Sequence, residues 1–131
     1  MGSKLGGFKA PALMLFCAPS FADREVGRGV FYSAGCIACH AVGCNKAGPK
    51  LIGIVGRRAG SVPDLDSHSD AMKKSTVVWT EESLNAYLEN PGSFMPGNGM
   101  ATSAVNPEDA NQRLHLIDFL KEPDNSLDLC F

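Results

Sequence analysis

Cys36-Ile37-Ala38-Cys39-His40 is the stretch on which the reading of this chain turns. Two thiols about one helical turn apart can add across the two vinyl groups of one porphyrin. The imidazole directly after the second thiol then lies against the iron. The spacing is that of a c-type haem attachment site. Two other chemistries use the same pair of cysteines. A thioredoxin-like dithiol calls for a preceding strand and a βαβ setting, which this sequence does not offer. A zinc site needs a further ligand beyond Cys36, Cys39, His40 or Cys44, and His68 and Cys130 are its candidate donors.

On either side of the motif the chain reads as short helices and glycine-rich loop. Glu25 to about Ser33 carries an apolar stripe of Val26, Val30 and Phe31, and Gly27 and Gly29 would admit another helix at close range. From Cys36 to Pro63 glycines recur too often for regular helix or strand. That stretch reads as loop wrapped around something other than its own core. Ser69 caps a short helix through Ser75. Thr80 caps a longer one, with Glu81 and Glu82 in the positive first turn, a Trp79–Leu84 staple, and Asn90-Pro91 as the stop. Asn106 caps the last helix with Pro107 in first position, Ala110, Leu114, Ile117, Phe119 and Leu120 on its apolar side, and Glu122-Pro123 at its end. The sequence therefore predicts an all-α domain of three to four short helices whose apolar residues are too scattered to form a self-sufficient bundle.

Composition narrows the class. The chain has 131 residues, enough for one domain, and its formal charge of -2 lacks the basic surplus of a nucleic-acid binder. No apolar run approaches the ~20 residues of a membrane-spanning helix. Residues 1–22 read as a secretory signal peptide: Lys4 and Lys9, then the apolar stretch Ala10 to Ala18, then Ser20-Phe21-Ala22 before Asp23. Cleavage after Ala22 would leave a mature domain, residues 23–131, with 122–131 as a tail, and shift the formal charge to about -4. Export also puts Cys44 and Cys130 where disulfides persist, and the two form a candidate bridge from the loop after the motif to the tail.

Further segments carry a family resemblance. After the motif come Gly48-Pro49-Lys50-Leu51-Ile52-Gly53-Ile54-Val55-Gly56-Arg57, the Trp79-led helix with Leu84 to Pro91, Pro96-Gly97-Asn98-Gly99-Met100, and Leu116 to Lys121. In this order they resemble the class I c-type cytochromes, from about Val26 to Lys121. The resemblance implies the class I cytochrome c fold, with helices and glycine-rich loops around one covalently bound haem c. Cys36 and Cys39 would carry the thioethers, His40 would be the proximal iron ligand and Met100 the opposite one. The Pro49 carbonyl would accept a hydrogen bond from His40, and Arg57 and the Trp79 indole would meet a haem propionate. His68 stands where the family often has a tyrosine bonded to a propionate. Tyr87 would bring its hydroxyl close to the Met100 sulfur. Gly27 and Phe31 would cross the last helix at Leu116, Phe119 and Leu120. Met72 and Met95 compete with Met100 only as gap-filling core residues, and His115 is expected to face solvent.

The implied function is a periplasmic, monomeric electron carrier cycling Fe(III)/Fe(II). A quinol-oxidising complex or a dehydrogenase would reduce it; an oxidase, a photosynthetic reaction centre or a reductase would oxidise it. A second reading is a haem-based sensor or small peroxidase-like enzyme in which Met100 is displaceable. The third is a non-haem zinc or dithiol protein. Thr102 replaces an aromatic two residues after Met100, and only Lys46, Lys50, Lys73 and Lys74 could supply positive charge around the haem edge.

Overall fold

A computed structural model describes residues 22–102, 107 and 109–123. All of the expected leader except Ala22, the tail from residue 124, and with them Cys130, lie outside the described residues. In chain order the elements are α1 (Arg24–Ser33), a 3-10 turn (Cys36–Ala38), α2 (Asp70–Lys74), α3 (Glu81–Glu89), α4 (Pro91–Phe94) and α5 (Ala110–Lys121). The only β feature among the described residues is an isolated bridge between Arg58 and Val78. The domain is all-α.

The frame is a crossing of α1 and α5. Asp23 caps α1 by accepting hydrogen bonds from the Glu25 and Val26 amides. Gly27 makes the crossing possible, because a Cβ there would sit 1.9 Å from the His115 carbonyl oxygen and 2.8 Å from Phe119 Cβ. One turn on, the Phe31 ring lies 6.0 Å from that of Phe119. Gly29 plays no such part, since a Cβ there would meet nothing within 4 Å. Val26 is likewise exposed, so the buried stripe of α1 is Gly27, Val30 and Phe31. His115 does not face solvent freely: it is half-buried, and its Nδ1 accepts a hydrogen bond from the Asp23 amide at 2.8 Å.

Helix α5 starts later than the sequence suggests. Asp109 is its cap, accepting from the Asn111 amide at 2.8 Å, and the first helical residue is Ala110. Aspartate and asparagine cap equally well, so two caps three residues apart compete; Asn106 itself lies outside the described residues. The inner face also differs from the expected one. Leu114 and Ala110 are exposed, and Arg113, Leu116, Ile117, Phe119 and Leu120 are buried. Among the described residues, buried Arg113 donates to Asn85 Oδ1 at 2.9 Å, Glu89 Oε1 at 3.1 Å and the Pro107 carbonyl at 3.3 Å. It ties α5 to α3.

Helix α3 begins as expected. Thr80 and Ser83 form a reciprocal capping box, and Trp79 and Leu84 are both buried in the core. Asn90-Pro91 ends α3 and also starts α4. Asn90 accepts from the Ser93 amide at 3.1 Å and Pro91 takes the first position, where its missing N–H costs nothing. That extra turn brings the number of α-helices among the described residues to five. Ser69 caps α2 through the Met72 amide.

The loop between the motif and α2 is pinned rather than free. The Leu51 and Ile52 amides donate to Val42, Gly56 donates to the Trp79 carbonyl, and Trp79 donates to Arg57. Core side chains such as Phe31, Ile54, Leu84, Leu88, Leu116 and Leu120 are at once part of the packed interior and part of the wall of one cavity.

Candidate haem site

Gly35 positions the motif. It adopts φ +83°, a left-handed conformation open to glycine, and turns the chain from the end of α1 into the 3-10 turn that carries Cys36. The turn closes through the His40 amide, which donates to the Cys36 carbonyl at 2.9 Å. Cys36, Cys39 and His40 thereby face one cavity of about 290 Å³. Pro49, Arg57, His68, Trp79, Tyr87 and Met100 line the same cavity, so all nine site residues expected from the sequence are gathered around one space.

His40 is the best-defined of them. Its Nδ1 lies 2.8 Å from the Pro49 carbonyl oxygen. A carbonyl can only accept, so Nδ1 carries the proton and Nε2 is left with its lone pair. Burial, opposed by the Pro49 bond and aided by Lys46, lowers the His40 pKa and keeps the ring neutral. Gly48 forms the cradle behind it: a Cβ there would come within 2.4 Å of His40 Cε1. A neutral imidazole with one protonated nitrogen anchored on a backbone carbonyl is the form that ligates iron.

The thiols fit attachment better than the alternatives. Burial pushes the Cys36 thiol up to about 11, so it is not the low-pKa thiolate of a reactive dithiol. Among the described residues no group of three or more His, Cys, Asp and Glu side chains is gathered to hold a metal, and His68 is not brought into such a set with the motif. The zinc and dithiol readings therefore find no support in the donor geometry.

An aromatic group borders the cavity through Trp79 and Tyr87. Trp79 is 5.0 Å from Tyr87 and stacks on Phe94 at 6.1 Å, while Tyr87 meets Phe94 edge-on at 5.8 Å. The Tyr87 hydroxyl reaches the Met100 segment through Asn98. It donates to Asn98 Oδ1 at 2.7 Å, and burial raises its pKa. Arg57 has a further role beside its expected place at the cavity. Its guanidinium donates to the Lys50 carbonyl at 2.9 Å and to the Ile52 carbonyl, bracing the loop, while the side chain still lines the cavity. His68 Nε2 is buried with no hydrogen-bond partner. An orphaned imidazole nitrogen in an otherwise apolar cavity calls for a polar group of a bound ligand, as a haem carboxylate would be. The residues present fit a haem.

Sequence reasoning missed three contributors. Phe94 sits on the unforeseen α4. Lys46 folds back to donate to the Ile37 carbonyl at 2.7 Å, which takes it out of any positive rim. Asn98, a variable position within the Pro-Gly-x-x-Met segment, turns out to be buried. Only its place two residues before Met100 could have drawn notice.

Comparison with known proteins agrees with this geometry. The family model described as "Cytochrome c" matches residues 25–122. Cytochrome c type-1 of Ascaris suum is 41% identical over 76% of this chain and 88% of its own length. Cytochrome c2 of Agrobacterium tumefaciens is 39% identical over 74% of this chain and 93% of its own. The structure of cytochrome cH from Methylobacterium extorquens superposes with a TM-score of 0.68 at 33% identity, covering 76% of this chain and 97% of that one. With a neutral histidine behind paired cysteines, a cavity lined by all nine expected site residues and a family match over nearly all described residues, the chain belongs to the cytochrome c family, electron carriers with covalently attached haem c and not enzymes.

Proposed function

We propose that this chain is an exported carrier, cleaved after Ala22, that shuttles electrons in the periplasm between a quinol-oxidising complex or dehydrogenase and an oxidase, reaction centre or reductase. The observation that carries the reading is the His40 ring, held neutral with Nδ1 on the Pro49 carbonyl and Nε2 left to ligate. Cys36 and Cys39 would hold the haem through thioethers and Met100 would complete the axial pair. The haem supplies one-electron chemistry when bound. The protein's part would be to ligate the iron through His40 and Met100 and to keep water out with the Trp79–Tyr87–Phe94 group. His68 offers a propionate its unpartnered Nε2, and Arg57 and Trp79 border the same cavity. The acidic composition and the withdrawal of Lys46 favour a docking face that relies little on a lysine ring. No helix among the described residues is long and apolar enough to cross a membrane, which accords with a diffusing carrier. A Cys44–Cys130 bridge would tie the tail to the loop after the motif; Cys36 and Cys39, not Cys44, are the free thiols among the described residues.

Intact-mass measurement of the periplasmic protein, made in a host with haem maturation and left unreduced, tests this. The expected mass is that of residues 23–131 plus one haem, with Cys44 and Cys130 resistant to alkylation. A haem-free chain, or one retaining residues 1–22, contradicts the reading.

A further inference from the structure

We propose that Asn98 is the positioning residue that keeps Met100 on the iron; the proposal rests on Met100 being the sixth ligand. Asn98 is 4% exposed. Its Nδ2 donates to the Pro91 carbonyl at 2.8 Å and to the Met95 carbonyl at 2.7 Å. Its Oδ1 accepts from the Tyr87 hydroxyl at 2.7 Å and from the Met100 amide at 2.7 Å. Two donors and two acceptor positions are the whole capacity of a carboxamide, and all are used. The orientation of the amide follows from its partners, since two carbonyls require donors and a backbone N–H requires an acceptor.

Nothing else in the turn supplies such restraint. Gly97, at φ +88°, and Gly99 flank Asn98, and a Cβ at Gly99 would meet nothing within 4 Å. A segment with two glycines gains much freedom when released. Among the described residues the backbone adds two turn bonds, from the Asn98 amide to the Met95 carbonyl at 3.2 Å and from the Ala101 amide to the Asn98 carbonyl at 3.1 Å. The buried amide therefore carries the tie from α3 and both ends of α4 to the residue that bears the thioether. Because Tyr87 spends its proton on Asn98, it steadies Met100 through the turn rather than by bonding the sulfur. The closed state of the sixth position is a property of this four-bond node.

Imidazole titration of the ferric holoprotein tests it, since imidazole binds the iron only where Met100 has left. Asn98→Ala is expected to raise imidazole affinity about ten- to hundredfold, because a larger fraction of molecules is open. Tyr87→Phe, which keeps the ring packing and removes one bond, is expected to raise it about three- to tenfold and serves if Asn98→Ala does not fold. Gly27→Ala lowers stability far from the turn and is expected to leave imidazole affinity within about twofold. An unchanged affinity in folded Asn98→Ala, or in Tyr87→Phe where the former does not fold, overturns the proposal. So does an equal rise in Gly27→Ala, which would make the effect one of general stability. Met100→Ala distinguishes the premise: it should bind imidazole more tightly than any of these, and if it matches the wild type the ligand assignment fails instead.

Discussion

At His40 a few atoms decide the chemistry. The Pro49 carbonyl selects the tautomer, burial keeps the ring uncharged, and Gly48 leaves room for it. Gly48→Ala would drive a methyl into the ring at 2.4 Å. The expected cost is about 1–3 kcal/mol of stability, read as a lower denaturant midpoint for loss of the haem spectrum; an unchanged midpoint would show that the cradle is slack. The same site sets a pH dependence. The folded-state pKa of His40 is lowered below its ordinary value of 6.5, so below that pH the unfolded chain binds a proton the folded one refuses. Stability is then fully present above about pH 6.5 and falls with acidification by up to about 1.4 kcal/mol per pH unit. Denaturant melts at pH 7.5 and pH 5.5 check this, and a higher midpoint at pH 5.5 would contradict it. Chemistry at this scale was legible where a residue type has few uses, as in Cys36-Ile37-Ala38-Cys39-His40. It was not legible at Asn98 or Arg57, most of whose partners are backbone groups that carry no sequence signal.

Among the elements, α1 and α5 pack most extensively against each other, and their crossing depends on a missing side chain. Gly27 and Gly29 look alike in sequence, but only Gly27 faces α5. Gly27→Ala is expected to destabilise the protein by at least about 2 kcal/mol, whereas Gly29→Ala, mid-helix and unobstructed, should stabilise it by about 0.5–1 kcal/mol. Thermal or denaturant melts of the pair give the comparison, and like-signed shifts would refute the assigned crossing. Helix identity was readable from caps: Ser69 and Thr80 act as the sequence implied. The start of α5 was not, because Asn106 and Asp109 are equivalent local signals and tertiary contacts, chiefly buried Arg113 between Asn85, Glu89 and Pro107, favour the later start. Nor was α4, four residues long and lacking room for a periodic pattern.

For the whole molecule, the fold is a shell whose inner wall is also its core. The same leucines and aromatics that pack α1, α3 and α5 together line the space for the haem. This explains why the apolar residues looked too few for a bundle: they are arranged to be completed by a large flat hydrophobic group. It also explains how nine residues spread from Cys36 to Met100 converge, since each belongs to a loop or helix pinned to that wall. The central claim is that a carrier results, with both axial positions filled by His40 and Met100. Visible spectra of the matured protein, oxidised, reduced, and reduced under carbon monoxide, test it most directly. The account predicts a sharp low-spin spectrum that carbon monoxide leaves unchanged. A high-spin spectrum, or one that carbon monoxide shifts, would mean that the sixth position is open and that Met100 does not close it.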